Sequence, residues 1–440
     1  MNTAVIIAGG KGTRMGVLGT ETPKALLPIV GKPLLAYQLA LLKTYGFKRV
    51  LIVTNHLGAQ IEKFCGTSSQ FGLSIHCLRE NKPLGTAGAL KSVEEYLLSD
   101  FLVLYGDEMI HMDLARLLAF HRHNKTTLKR LLGTLAVHPN DHPADSNLVE
   151  IDRDNFITSF LTKPHPQDLW FHNLVSTPVY VFTPEIFNYI PEGVYADFGR
   201  DIFPRIACKQ KNLLAAYTTP EYIKDIGTPE RLREVRKDVR SGVFARMSLK
   251  YKRPAVFLDR DGVINEEVGN LNNIEDFTLL PRVAKAIKRI NESGYYAVVI
   301  SNQPVVAKGF CTYDDVVRIH KKMETLLGRE GAKLDAVYFC PHHPDKGFQG
   351  ENKEYKMVCR CRKPKTGMIE TAARDLNIDM RRSVLIGDRT SDAKTAENAG
   401  VRFFGVKTGS ALHDGVFTLR QRPRRYKDLF AIVNRRVFML

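Results

Sequence analysis

No apolar run in the 440 residues approaches the roughly 18 needed to cross a bilayer, which excludes a helical membrane protein. A secretory leader is not expected either. The first residues, MNTAVIIAGGKGTRMG, carry a short apolar stretch that enters a glycine-rich loop, so they read as a buried strand, and a cytoplasmic protein is expected. Short-period repeats and low-complexity tracts are absent. Acidic residues are scarce relative to basic ones, 47 against 64, which leaves a net charge of +17. Such an excess favours acidic partners: nucleic acid, anionic membrane or phosphorylated small molecules. The basic residues are spread along the chain without a nucleic-acid-binding motif, so phosphorylated substrates are the simpler cause, with no nucleic acid and no membrane as partners. The composition, 44% hydrophobic and 25% charged, is that of a globular protein and excludes disorder. Of seven cysteines, three (Cys340, Cys359 and Cys361) lie close together beside two histidines, which favours a metal over disulfides.

Short β-branched runs alternate with helical patterns. Thr3–Ala8, Val50–Thr54, Leu73–Leu78 and Phe101–Tyr105 read as strands; 34–43, 59–64, 86–98 and 114–123 read as the helices between them. The pattern becomes mixed from 131 to 217, and a charged helix at 229–239 closes the first half. A second series begins with the strand Ala255–Leu258. The expected fold is α/β with two Rossmann-like domains, at 1–240 and 252–440, joined by a basic linker at 241–251. The arginine-rich tail, 419–440, ends in an expected short helix and a solvated charged face.

The first strand runs into Gly9-Gly10-Lys11-Gly12-Thr13-Arg14. Glycines let a backbone approach phosphate closely, and Arg14 adds a forked cation. Lys24 adds a point charge. The spacing matches neither a P-loop nor a dinucleotide fingerprint, and a tight strand-to-helix turn is the plainer reading of the loop alone. Pro83-Leu84-Gly85-Thr86-Ala87-Gly88 is a second small-residue loop, against which a flat base could lie. Asp107 ends an apolar strand and Asp225 precedes a late helix; the two could share one Mg²⁺ bridging phosphates.

In the second half the strand Ala255–Leu258 delivers Asp259-Arg260-Asp261-Gly262. Two carboxylates so spaced suit a division of labour, Asp259 attacking phosphorus and Asp261 first protonating the leaving oxygen, then activating water, with Mg²⁺ screening the charge. Ser301 ends another strand, Arg362 and Lys363 supply cations, and Asp388 ends a third strand just before Asp392. Cys340, His342, Cys359 and Cys361 have the spacing of a four-coordinate, structural Zn²⁺ site that pins a loop, with His343 as a spare.

The ordered set GGKGTR, PKALLPIVGKP, PLGTAGA, YGD and DIGTPE resembles the sugar-phosphate nucleotidylyltransferases over residues 2–235. That resemblance implies a mixed sheet, with a nucleoside triphosphate over Gly9, Gly10, Gly12, Thr13 and Arg14 and over Gly85, Thr86 and Gly88. A sugar 1-phosphate oxygen then attacks the α-phosphorus, with Arg14 and Lys24 as the catalytic cations and Mg²⁺ on Asp107 and Asp225. Lys163 is placed on the sugar phosphate, in Thr162-Lys163-Pro164 where that family has Glu-Lys-Pro; Asn173 begins Asn-Leu-Val where it often has Asn-x-Gly. The strand ends of the second half resemble the haloacid-dehalogenase-type phosphatases. Together with the Cys-His set and Cys-Arg-Lys-Pro, residues 252–435 resemble the D,D-heptose 1,7-bisphosphate phosphatases. This implies a parallel sheet with a zinc-bound loop, Asp259 as nucleophile, Asp261 as acid/base, and Mg²⁺ on Asp259, the Asp261 carbonyl and Asp388. Ser301 and Lys363 would hold the phosphoryl group with Asn302 beside them, Arg362 would help select the substrate, and Arg389 would contact it. Pro304-Val305 stand where the family usually has Ser-Gly after Ser-Asn-Gln.

Removing the 7-phosphate leaves a sugar 1-phosphate, the substrate class of the first half. The general look of that half is closest to the heptose 1-phosphate guanylyltransferases, and the His-x-Gly-His signature of the ADP-heptose route is absent. GTP and heptose phosphates are therefore the expected substrates. Another base or sugar, paired with a histidinol-phosphate-type phosphatase, stays open, as does the oligomeric state, a homo-oligomer included.

Overall fold

The computed structural model describes residues 1–66, 71–421 and 423–435; the rest of the tail, 422 and 436–440, lies outside the described residues. Two compact units form. The first comprises Met1–His138, Asn147–Thr162 and Leu174–Lys250; the second comprises Pro139–Ser146, Lys163–Asn173 and Tyr251–Leu440. Two short segments from the first half of the sequence thus belong to the second unit. Among the described residues no helix is long and apolar enough to cross a membrane.

The first unit is built on a nine-stranded mixed sheet. Thr3–Ala8 lies parallel between Arg49–Thr54 and Phe101–Tyr105, and Ser74–Arg79 extends the parallel side. Val175–Phe182 runs antiparallel to Phe101–Tyr105 and passes the sheet on to Gly133–His138. The inner parallel strands are apolar on both faces because helices cover both sides; Ala4, Val5 and Ile6 are all fully buried. A small antiparallel pair, Glu108–His111 with Tyr222–Asp225, sets Asp225 opposite Glu108. The expected helix over 86–98 is shorter: Gly85–Lys91 is α-helical and Glu94–Tyr96 is a separate 3₁₀ turn. The Ser92 hydroxyl bonds back to the Ala89 carbonyl (2.8 Å), competing with the helical ladder where it breaks. The stretch expected as linker carries a helical turn, Val243–Arg246, and packs on this unit: Phe244 stacks on His111 with centroids 4.8 Å apart.

The second unit has a six-stranded, all-parallel sheet ordered Ala336–Cys340, Tyr296–Asn302, Ala255–Leu258, Val384–Gly387, Arg402–Val406, Arg425–Tyr426. Ala255–Leu258 sits in the middle, fully buried, so its carboxyl end opens where strand order reverses, the usual ligand position in such sheets. A short helix, Leu429–Asn434, is the last described element.

Candidate active sites

In the first unit, the loop after Thr3–Ala8 forms a 3₁₀ turn at Thr13–Met15, with Gly12 as its left-handed N-cap. Lys24 Nζ donates to Asp107 Oδ2 at 2.8 Å. Asp225 accepts from the Gly227 N–H at 2.8 Å and pairs with Arg231; the Ile226 N–H bonds the Asp107 carbonyl at 3.0 Å. The Arg14 guanidinium reaches the same place, since a Cβ on Gly227 would stand 2.6 Å from Asp225 Oδ1 and 2.9 Å from Arg14 Nη2. Burial would raise the Asp225 carboxyl, but bonds from Arg231 and Gly227, and the Arg231 and Arg14 charges, hold it below the usual range. Buried Glu108 is pushed well up by burial and then by the charges of Asp107 and Asp225.

The second small-residue loop has a packing duty. Gly85 has φ +75°, and a Cβ there would lie 2.5 Å from the Ala196 carbonyl oxygen, so glycine serves both conformation and contact. Thr86 donates to Asp197 Oδ2 (2.8 Å) and accepts from the Phe198 N–H (3.0 Å). Lys163 falls in the second unit, where its Nζ donates to the Asp145 carbonyl at 2.6 Å.

In the second unit, Asp259, Asp261, Asn302, Arg362, Lys363 and Arg389 all line one cavity of 420 Å³. Lys363 is 4% exposed, and its ammonium contacts Asp259 Oδ1 at 2.9 Å and Asp392 Oδ1 at 2.6 Å. Burial would lower this ammonium, but the two carboxylates outweigh it and raise it. Asn302 holds the lysine in place by exchanging two bonds with its backbone, 2.9 and 3.1 Å. Burial, then the Asp392 charge, pushes the Asp259 carboxyl well above the usual range, and Asp388 shifts the same way for the same reasons. Ser301 is fully buried and its hydroxyl accepts from Gln303 Nε2 at 2.8 Å. Arg389 pairs with Glu267 at 2.7 Å. The glycine after Asp261 is required: Gly262 has φ +76°, and a Cβ there would stand 2.6 Å from Asp388 Oδ2.

Asp259, Asp388 and Asp392 have carboxylate oxygens within 4.8 Å of one another. Three buried carboxylates facing one ammonium leave two negative charges to balance, and Asp388 Oδ1 has no hydrogen-bond partner among the described residues. Both observations fit a divalent cation bound by hard oxygen ligands. Asp392 was the ligand candidate least visible in sequence; its place one turn into a helix gave no ligand spacing. Cys340, His342, Cys359 and Cys361 form a second cluster. Sulfur–sulfur separations of 3.2, 3.2 and 3.5 Å, and 3.3 and 3.6 Å from His342 Nδ1 to sulfur, lie near the edges of a zinc tetrahedron, about 3.5–3.8 Å for ligands roughly 2.0–2.3 Å from the metal. His343 turns instead toward Asp345, 3.7 Å away.

Known families match the two halves of the sequence separately. The nucleotidyl transferase family profile matches residues 3–242, and a HAD-hydrolase-like profile matches residues 360–429. The D-glycero-D-manno-heptose-1,7-bisphosphate 7-phosphatase of Thermosynechococcus vestitus is 44% identical over 160 residues, 36% of this chain and 80% of that protein. The D-glycero-beta-D-manno-heptose-1,7-bisphosphate 7-phosphatase of Haemophilus ducreyi is 40% identical over 162 residues, 36% of this chain and 86% of that protein. Among solved structures, HddC from Yersinia pseudotuberculosis is 24% identical with a TM-score of 0.46, covering 54% of this chain and all of that one. The chain belongs to the nucleotidyl transferase family and, through its second half, to the family of the heptose-1,7-bisphosphate 7-phosphatases.

Proposed function

We propose that the protein carries out two consecutive steps of GDP-heptose synthesis. The second unit removes the 7-phosphate of D-glycero-α-D-manno-heptose 1,7-bisphosphate. The first transfers GMP from GTP to the resulting heptose 1-phosphate and releases pyrophosphate. What carries the reading is the cavity in which Asp259, Asp261, Lys363 and Arg389 converge, in a stretch 44% identical to a heptose bisphosphate phosphatase. The choice of GTP rests on the resemblance of the GGKGTR, YGD and DIGTPE segments.

In the phosphatase step Asp259 attacks the 7-phosphorus, and the sugar O7 leaves with a proton from Asp261. Water, deprotonated by Asp261, then hydrolyses the aspartyl phosphate to phosphate and regenerates Asp259. Lys363 and Ser301 hold the phosphoryl oxygens, Asn302 orients Lys363, and Arg362 and Arg389 face the sugar. Asp259, Asp388 and Asp392, with the Asp261 carbonyl, would hold Mg²⁺, which when bound offsets repulsion between carboxylate and phosphate. In the transfer step the heptose 1-phosphate oxygen displaces pyrophosphate from the α-phosphorus without a protein nucleophile. Gly9–Arg14 and the Gly85–Gly88 loop cradle the nucleotide, and Arg14 and Lys24 neutralise the developing charge. Asp107 and Asp225 would hold the Mg²⁺ of this site, which requires Arg231 to yield Asp225. Lys163, the candidate sugar-phosphate ligand, is assigned no step.

One coupled reaction tests the proposal. The protein, Mg²⁺ and the bisphosphate are mixed with each of five nucleoside triphosphates, and mass spectrometry reads the products. GDP-heptose with both phosphate and pyrophosphate is expected. Phosphate without any nucleotide sugar would refute the transferase assignment.

A further inference from the structure

Arg260 separates the two aspartates of the phosphatase site and points away from the cavity into the protein. Its side chain is fully buried, and its hydrogen bonds go to Asp261 and to His320. Nε reaches Asp261 Oδ1 at 3.1 Å, and Nη2 reaches Oδ1 at 2.8 Å and Oδ2 at 2.9 Å. Asn265 Nδ2 adds a bond to Oδ1 (2.9 Å), and Gln303 Nε2 one to Oδ2 (2.8 Å). The remaining arm of the guanidinium, Nη1, meets His320 Nε2 at 3.1 Å. An arginine can only donate, so Nε2 must present its lone pair and the imidazole is neutral with its proton on Nδ1. His320 lies mid-helix in Tyr313–Arg329, is 3% exposed, and stands edge-on to Phe339 with centroids 5.0 Å apart.

A buried guanidinium left with an unpaired arm would turn to find an acceptor, and the fork that grips Asp261 would turn with it. We propose that His320 is a positioning residue of the phosphatase: by accepting from Arg260 Nη1 it fixes the guanidinium that orients the Asp261 carboxylate toward the leaving oxygen and the attacking water. This rests on the reading of Asp261 as the proton-transfer group. The other charged and titratable groups facing this assembly are Asp259, Lys363 and Arg389, which line the cavity, the buried Asp388 and Asp392, Cys311, and His172 beyond His320. None of them hydrogen-bonds to Arg260 Nη1, so His320 carries this role.

The test uses the full chain with Mg²⁺ and heptose 1,7-bisphosphate, with phosphate release followed as kcat and KM. His320→Met removes the acceptor, whereas His320→Gln offers its Oε1 near the same place. For His320→Met, kcat should fall about ten- to hundredfold with KM within about twofold. His320→Gln should restore kcat. A cooperatively melting His320→Met with an unchanged kcat would overturn the proposal, as would a His320→Gln equally impaired. Should His320→Met fail to fold, His320→Leu takes its place, and an unchanged kcat there overturns the proposal in the same way. A wild type that releases no phosphate would instead sink the phosphatase reading itself.

Discussion

Glu221 is 2% exposed and accepts bonds from the Asp113 and Leu249 N–H groups at 2.6 and 2.7 Å and from Thr219 Oγ1 at 2.9 Å. Burial outweighs these bonds and pushes its carboxyl up to about 7. Below the ordinary glutamate value both folded and unfolded chains hold this proton. As pH rises from about 4.5 to 7 the unfolded chain loses the proton first, so this residue lowers stability across that window, by roughly 3 kcal/mol at most. Glu221→Gln can keep the two backbone bonds on its oxygen and donate to Thr219. The variant should flatten the decline in urea midpoint of the first unit between pH 5 and 8; an unchanged slope would refute the assignment. Catalysis separates at the same scale. Asp259→Asn should cut phosphate release by roughly 10³-fold or more while nucleotidyl transfer from supplied heptose 1-phosphate persists, and Asp107→Ala should do the reverse. A folded mutant that lost both activities would argue against two independent sites. Asp259 and Asp261 were readable because they follow the strand Ala255–Leu258, and Lys363 because it stands in Cys-Arg-Lys-Pro beside the Cys-His set. The partners of Asp261 were not, because Arg260 looks like a spacer and its acceptor His320 lies 60 residues away. Arg231 escaped for a related reason: on a charged helix it resembles any solvated cation until Asp225 is seen beside it.

At the scale of elements, the central parallel strands of both sheets were legible from their β-branched runs, because strands buried on both faces leave continuous apolar segments, whereas Gly133–His138, Leu148–Ile151, Ile157–Leu161, Val175–Phe182 and Leu214–Thr218 read only as a mixed pattern. Less legible was the stretch 241–251. Its basic composition suggested a linker, yet Ser248 and Leu249 are 1% and 2% exposed and both bond Glu221. Three or four anchoring side chains among charged neighbours leave little periodicity to read. The Cys-His loop is the opposite case, since the spacing of Cys340, His342, Cys359 and Cys361 alone located the cluster. It leaves the sheet at Cys340, the end of Ala336–Cys340, and returns at Cys359 and Cys361, next to Arg362 and Lys363 in the cavity. A metal that closes this loop contributes directly to folding, and the loop has few buried apolar residues of its own. Chelation followed by return to excess Mg²⁺ should therefore lower the melting temperature of the second unit by several degrees and reduce phosphatase kcat, while transfer from supplied heptose 1-phosphate is retained. Cys361→Ser should reproduce this without chelator. An equally stable metal-free protein would show that the four ligands do not serve structure.

At the scale of the whole molecule, sequence order and structural unit part company. The fold of each half is readable from its own motifs, but the segments Pro139–Ser146 and Lys163–Asn173 are counted in the second unit, which no local pattern announces. Their contacts explain the grouping. The Phe171 N–H donates to Thr325 Oγ1 (3.0 Å), the same hydroxyl returns a bond to the Phe171 carbonyl (3.2 Å), and His172 pairs with Glu324 at 3.0 Å. The Trp170 ring lies 5.5 Å from the Lys322 ammonium and 5.1 Å from the Arg329 guanidinium. All these partners sit on the helix Tyr313–Arg329, which also carries His320. Residues 251–440 made alone would therefore expose Thr325, fully buried here, and lose two cation–π contacts. That fragment should be less stable than the same unit in the full chain, and Trp170→Ala in the full chain should account for about 2 kcal/mol of the loss. Calorimetry with phosphate-release activity as the marker of the second unit measures both. A fragment that melts with the full-length unit would mean that these segments rest on the helix without supporting it.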